Sequence, residues 1–163
     1  MSISKQLISN CLWFDSEAEQ AAKFYVSILP NSRIIGTSQY GEEGFEYHHR
    51  PAGSVMTVWF VLDGQEFMGL NGGPLYKFNE SISLMIYCKD QEEINHFWNK
   101  LTEGGQENVC GWLKDKFGLS WQVIWSEWGR LMVDKEKSKR LMNTLFTMRR
   151  PIIEEFEKAI NGL

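Results

Sequence analysis

The chain has 163 residues, enough for one domain with a core that holds without disulfides, and its 17 basic against 21 acidic side chains leave a formal charge of −4. That balance, with no dense basic cluster, excludes the concentrated Lys and Arg that a phosphate backbone rewards, so no nucleic-acid partner is expected. The longest apolar runs, such as Val55 to Leu62, are strand-sized and fall far short of the roughly 20 residues that cross a bilayer, so no membrane partner is expected either.

The apolar run Leu7 to Phe14 predicts a first strand. From Ser16 to Leu29, Ala18, Ala21, Ala22, Tyr25, Ile28 and Leu29 recur at helical spacing, with Ser16 and Glu19 in the form of a capping box and Pro30-Asn31 as the stop. A strand follows near Ser32 to Tyr40, then a loop from Gly41 to Gly53. Strands from Ser54 to Leu62 and from Gln65 to Leu70 are joined at Asp63-Gly64, a tight-hairpin signal.

The same grammar then returns. Ile82 to Cys88 reads as a strand, and Asp90 with Glu93 caps a helix whose Ile94, Phe97, Trp98 and Leu101 form one stripe and which Gly104-Gly105 stops. One strand is predicted near Gln106 to Lys114, then a turn at Asp115 to Gly118, then a strand from Leu119 to Trp125. Each half reads strand, capped helix with a Phe-aromatic pair (Phe24-Tyr25, Phe97-Trp98), then strands, which implies an internal duplication. From Asp134 a tail turns helical, with Leu141, Leu145 and Met148 on one stripe, Pro151 at a first-turn position, and Ile152, Ile153, Phe156 and Ile160 beyond it. So apolar a tail must dock, either on its own sheet or on a second subunit, and a homodimer is expected.

Few residues advertise chemistry. His48 and His49 sit in a loop among Glu42, Glu43, Glu46 and Arg50, where a solvated cluster is the ordinary outcome and a flap closing on a ligand the sharper one. His96 lies beside the apolar stripe of its helix. Cys11, Cys88 and Cys110 are an odd, widely spaced set with no paired spacing and no secretory leader. They fit a reducing, cytoplasmic setting, and in predicted strands they read as apolar filler. Trp13, Trp59, Trp112, Trp121, Trp125 and Trp128 fall on strands or strand ends, where aromatic residues pack, though one or two could floor a pocket.

Leu12-Trp13-Phe14, the Asn71-Gly72-Gly73 turn, and the run from Cys110-Gly111-Trp112 through Asp115-Lys116-Phe117-Gly118 to Trp121-Gln122 resemble the PhnB-like branch of the vicinal oxygen chelate superfamily. That superfamily includes glyoxalase I, bleomycin-resistance proteins and extradiol dioxygenases, and the resemblance runs over essentially the whole chain, tail included. It implies an α+β fold: one domain, 1–163, of two paired βαβββ modules (about 5–72 and 80–127) forming a half-open curved sheet, plus C-terminal helices at about 134–161. The concave face would hold a small-molecule ligand and, in the metalloenzymes, a divalent ion.

Those enzymes place His, Glu or Gln on the first and closing strands of each module. Here the matching positions carry Ser9 or Asn10, Ser83, the stretch Phe67 to Leu70 with Glu66 ahead of it, and Gln122. One neutral amide among hydroxyls offsets little of a divalent ion's dehydration, so no metal and no cofactor is expected. Gln122, whose alternation partners are Ser120 and Ile124, reads as a hydrogen bonder or as a satisfied core amide. Trp13, Met68, Asn71, Met85, Tyr87 and Gln122 are the expected pocket residues.

Branch members often carry the label 3-demethylubiquinone-9 3-methyltransferase, yet Gly72-Gly73-Pro74 leads into no predicted helix and no S-adenosylmethionine motif occurs. The expectation is therefore a metal-free small-molecule binder of unresolved activity. A metal-dependent lyase, isomerase or dioxygenase with a displaced site recruiting His48 or His49, and a drug-sequestering resistance protein, are the alternatives.

Overall fold

The computed structural model describes residues 6–162, and the chain divides after Lys77 into two compact units. Unit 1 runs β1 (Asn10–Phe14), α1 (Ala18–Ile28), β2 (Arg33–Gln39), a one-turn α2 (Phe45–His48), β3 (Val55–Leu62) and β4 (Gln65–Asn71). Unit 2 runs β5 (Leu84–Cys88), α3 (Gln91–Thr102), β6 (Gln106–Glu107), β7 (Trp112–Lys114) and β8 (Ser120–Trp125), then α4 (Trp128–Leu131), α5 (Lys135–Leu145) and α6 (Ile153–Asn161). The α+β class holds, and the duplication is closer than the residue pattern predicts. The sheets have the same order, β1-β4-β3-β2 and β5-β8-β7-β6, each with its first strand parallel to its last and hairpins between.

That match depends on splitting the single strand expected over Gln106 to Lys114. Cys110 and Gly111 both take positive φ, 61° and 80°, which turns the chain back so that Gln106 pairs with Lys114 and Glu107 with Leu113. The second module is thereby a full βαβββ unit. At Asp63-Gly64 both residues have φ above zero (42° and 83°), as a two-residue type I′ hairpin needs.

In each unit one sheet face is buried by the helix. Ala18, Ala21, Ala22, Tyr25 and Ile28 of α1 face Leu12, Phe14, Val58, Phe60 and Phe67, while Ile94, Phe97, Trp98 and Leu101 of α3 are buried with Leu113, Trp121 and Val123. Gly69 of β4 sits so close beneath α1 that an added Cβ would meet Ala18 Cβ at 3.1 Å. The opposite faces carry the alternate residues: Trp13, Trp59, Met68 and Leu70 in unit 1, and Trp112, Met85, Tyr87, Gln122 and Ile124 in unit 2.

Several boundaries differ from expectation for identifiable reasons. β1 begins at Asn10, and Leu7 and Ile8 ahead of it are exposed. The Ser16/Glu19 capping box does not form: α1 starts at Ala18, whose N–H donates to Asn71 Oδ1 at 2.9 Å, from 53 residues away. At α3 the cap does form, with Asp90 Oδ1 accepting from Glu93 N at 2.9 Å, while Glu93 reaches back to Lys89 N. Trp128 lies on α4 and not on a strand end, and Pro151 stands just ahead of the N-cap Ile152 of α6, outside its first turn.

The tail docks within its own unit. Leu131, Leu141 and Phe156 form a core cluster joined by Trp125, Trp128, Leu145, Met148 and Ile160. The segment between α5 and α6 is pinned by its backbone, since Cys110 N and Gly111 N donate to Met148 O (2.9 Å) and Arg149 O (2.7 Å). Gln91 adds a second tie, donating to Pro151 O at 3.1 Å and accepting from Ile153 N at 2.8 Å. Gly111 is required at this crossing: a Cβ there would stand 2.6 Å from Val123 O and 3.2 Å from Pro151 Cγ.

Candidate functional site

In unit 2 the face opposite α3 and the tail together bound a cavity of about 540 Å³, a volume typical of small-molecule pockets. Trp112, Gln122 and Ile124 supply the sheet side, and Trp128, Met142, Leu145, Phe146 and Phe156 the tail side, with Glu80 at the wall. Strand register explains why Gln122 is there. Its neighbours across the sheet are Met85 on β5 and Trp112 on β7, while Trp121 and Val123 turn into the α3 core.

Gln122 Nε2 donates to Ser83 Oγ at 2.8 Å, so two of the positions at which the resemblance leads one to look for ligands are hydrogen-bonded to each other. Its Oε1 has no protein partner among the described residues, and Gln122 is one of the residues that line the cavity. Ser120, on the same face, is fully buried with its Oγ likewise unpartnered. Glu80 is held by Lys114 Nζ at 2.6 Å, and the hydrogen bond from that ammonium lowers its carboxyl pKa from the ordinary value.

The hairpin turn just ahead of Gln122 is fixed by Asp115, which is buried and accepts from Phe117 N (2.8 Å), Leu119 N (3.1 Å) and Trp121 Nε1 (2.8 Å). Those bonds lock the β7–β8 register and with it the outward set of Gln122. Met85 and Tyr87 share Gln122's face but stay open, at 45% and 59% exposure, with Tyr87 Oη directed to Met85 Sδ.

In unit 1, Trp13 and Met68 occupy the face away from α1. Trp13 donates from Nε1 to Gly73 O at 2.8 Å and packs edge-on to Tyr76 with ring centroids 4.9 Å apart. Asn71 is three residues on from Met68 along one strand, so it points to the opposite face. Its side chain accepts from Ala18 N and donates to Val55 O at 3.0 Å, and its carbonyl accepts from Tyr40 Oη at 2.6 Å. The odd spacing was a readable signal that Asn71 and Met68 do not share a face.

His48 and His49 do not stand free. The His48 ring lies 4.4 Å from the Tyr40 ring and its Nδ1 accepts from Arg50 N at 2.9 Å, while Arg50 ties the loop to Asp15 at 2.6 Å. His96 is exposed, its ring 5.1 Å from that of Phe97. Of the cysteines only Cys88 is fully buried; burial, reinforced by Glu93 and Asp90, pushes its thiol up to about 12, so it is no nucleophile at neutral pH. Cys11 is exposed at the sheet edge, and Cys110 lies in the turn between β6 and β7.

Among the described residues no three His, Cys, Asp or Glu side chains converge to hold a metal ion. The donor set does not fit one at the position the fold family uses: in unit 2 it consists of a neutral amide and a hydroxyl already bonded to each other. In unit 1, Ser9 and Glu66 offer one hydroxyl and one carboxylate.

The chain matches the family described as 3-demethylubiquinone-9 3-methyltransferase over residues 6–124. It belongs to that family, in its PhnB-like branch. The PhnB protein from Bacillus cereus is 33% identical, with a TM-score of 0.63, covering 74% of this chain and 99% of that one. Protein PA1353 from Pseudomonas aeruginosa, at 19% identity and TM-score 0.59, covers 74% of this chain and 98% of that one. A mutant of the fosfomycin resistance protein FosX from Listeria monocytogenes, complexed with Mn(II) and a dihydroxypropylphosphonic acid, is 16% identical at TM-score 0.51 over 78% of this chain and 98% of that one. These last two show the fold alone. No curated protein matches the chain at a comparable level.

The match ends at residue 124, so the expectation that the resemblance extends through the tail helices is corrected: α4, α5 and α6 lie beyond it. The family's methyltransferase description also meets a physical objection at the one glycine turn that could cradle a nucleotide. Gly72 N donates to Phe14 O (2.9 Å) and Gly73 N to Asp15 O (3.2 Å), so both amides are already engaged, and the next helix begins only at Gln91. An added Cβ at Gly72 would run into the Trp13 indole, so this glycine serves packing.

Proposed function

We propose that this PhnB-like protein binds a small, partly apolar molecule without a metal ion, on a sheet face that the helix of its unit leaves open. The observation that carries the proposal is the Gln122 to Ser83 hydrogen bond beside a cavity of ligand size: it engages one amide hydrogen of a residue that lines the cavity, leaves the amide oxygen without a protein partner among the described residues, and leaves hydrogen bonding as the site's chemistry. Taking each unit by itself, we assign Trp13 and Met68 to the open face of unit 1 and Met85, Tyr87 and Gln122 to that of unit 2 as candidate ligand contacts. Asn71 supports them by holding α1 to β4.

On the same proposal the chain acts as one domain and as a cytoplasmic homodimer. Support comes from the free cysteines and from exposed apolar side chains such as Leu75, Tyr76, Ile82 and Met85. No helix among the described residues is long and apolar enough to cross a membrane.

A thermal-shift panel tests the metal-free binding. Chelator and added Mn²⁺, Ni²⁺ or Zn²⁺ are expected to leave Tm unchanged while small aromatic and heterocyclic compounds raise it. A Tm that falls with chelator and returns with one of these ions, joined by the ion's anomalous signal at Gln122, overturns the proposal in favour of a metalloenzyme.

A further inference from the structure

We propose that the C-terminal segment, together with the open face of β7 and β8, builds a binding site for a flat aromatic molecule that carries a hydrogen-bond donor. The inference rests on the small-molecule-binding proposal above and names the ligand that the cavity is made to accept.

Three observations converge. The first is the wall: Trp112, Trp125, Trp128 and Phe146 present aromatic surface around about 540 Å³, room for a ligand of about two or three fused rings, with the fully buried Phe156 packed on two of them. Phe156 stands in the middle of this arrangement, stacked parallel on Trp125 at 6.4 Å and edge-on to Trp128 at 5.6 Å. Aromatic faces reward planar ligands by offset stacking and edge contacts beyond the apolar area they cover.

The second observation is the polarity of what is left over. Gln122 directs one of its two Nε2 hydrogens to Ser83, and its Oε1, which has no protein partner among the described residues, is an acceptor left for a ligand. Glu80 offers a second acceptor group, a carboxylate partly balanced by Lys114 Nζ. An apolar ligand without a donor would strand the desolvated Gln122 oxygen, and an anionic ligand would face two acceptors. An aryl hydroxyl or aryl amine satisfies them.

The third is the origin of the wall. Trp125, Trp128, Phe146 and Phe156 all lie beyond residue 124, where the family match stops, and the Bacillus cereus PhnB protein is covered almost completely while a quarter of this chain has no counterpart in it. Most of the sheet side lies within the family match, and the tail side, with Trp128, Phe146 and Phe156, lies outside it, held in place by the Gly111 crossing and the Gln91 bonds.

The test uses the full chain with three probes on one naphthalene frame: naphthol, methoxynaphthalene and naphthoate, followed by calorimetry and by the tryptophan indole N–H signals in nitrogen-15 spectra. Naphthol is expected to bind about fivefold or more tightly than methoxynaphthalene, the ratio a single net hydrogen bond supplies, and naphthoate the weakest of the three. The signals of Trp112, Trp125 and Trp128 are expected to move. Gln122→Leu should keep methoxynaphthalene binding and erase the naphthol preference. Phe146→Ala, at a side chain 63% exposed and therefore safe for folding, should weaken both. Equal affinity for naphthol and methoxynaphthalene, or a naphthol preference that survives in Gln122→Leu, overturns the donor assignment. Shifts confined to unit 1 overturn the location while leaving the small-molecule proposal standing. No binding by any probe overturns the aromatic site, and the wider proposal then stands or falls on the thermal-shift panel.

Discussion

Units 1 and 2 carry the same module, strand for strand, and differ in what happens on the sheet face that the helix does not cover. In unit 1 that face displays Trp13, Trp59, Met68 and Leu70, and the connections stay within the module: Asn71 caps α1, and Arg50 ties the loop 41–53 to Asp15. In unit 2 a 38-residue-scale extension, residues 125–162, turns back and converts part of the same kind of face into a walled cavity. A duplicated fold thus acquires two different surfaces from one architecture. What differs is which long-range contacts each copy adds to a shared local grammar.

That contrast can be broken most severely at Phe156. Phe156→Ala removes a fully buried ring from the tail's core cluster and is expected to destabilise unit 2 by about 3–5 kcal/mol. Hydrogen exchange should show protection lost over α5 and α6 and retained in α1 and β3; loss in both units together would mean that the two copies do not unfold separately. Next comes Asn71→Ala, which strands Ala18 N and Val55 O, both buried or partly so, and is expected to cost about 2–3 kcal/mol in urea unfolding, with α1 the element that loosens. Asn71→Asp keeps the acceptor toward Ala18 N and should cost less.

Gly111→Ala sharpens the comparison by attacking only the crossing that unit 1 lacks. With φ at 80° and Val123 O 2.6 Å from the new Cβ, it is expected to cost about 1–3 kcal/mol, whereas Gly118→Ala, at φ 86° but in open space, should cost only the backbone strain of about 1–2 kcal/mol. The added loss at Gly111 should appear as raised exchange at Met148 and Arg149 partners. The smallest effect is expected at Glu80. Lys114 depresses its folded-state pKa, so any stability the pair adds is present above pH 4.5, the ordinary Glu value, and is lost as pH falls through the lower folded value. Tm of wild type and Glu80→Gln, measured across that range, should differ slightly at neutral pH and converge at the acid end; a difference that grows on acidification would contradict the sign.

Much of this was legible in the residues. The stripes Ala18-Ala21-Ala22-Tyr25 and Ile94-Phe97-Trp98-Leu101, the Asp63-Gly64 hairpin, and the Asp90 cap are each set by contacts within about one or two turns of chain, and such contacts leave periodic traces. The outward set of Gln122 was likewise readable, because alternation in β8 allows only two faces. The split of Gln106 to Lys114 was signalled weakly, by Asn108 and Gly111, and was masked by the apolar residues between them.

By itself, then, the order of amino acids determined most of the elements and their duplication, both of which depend on residue type and short-range spacing. Only the tertiary structure decided that α1 is capped by Asn71 from a strand 53 residues further along the chain, that the tail folds onto its own unit through Gly111 and Gln91, and that Gln122 lines an aromatic cavity. These are contacts between segments tens of residues apart, and the residues that make them are chosen by packing geometry, which leaves no period in the chain to read.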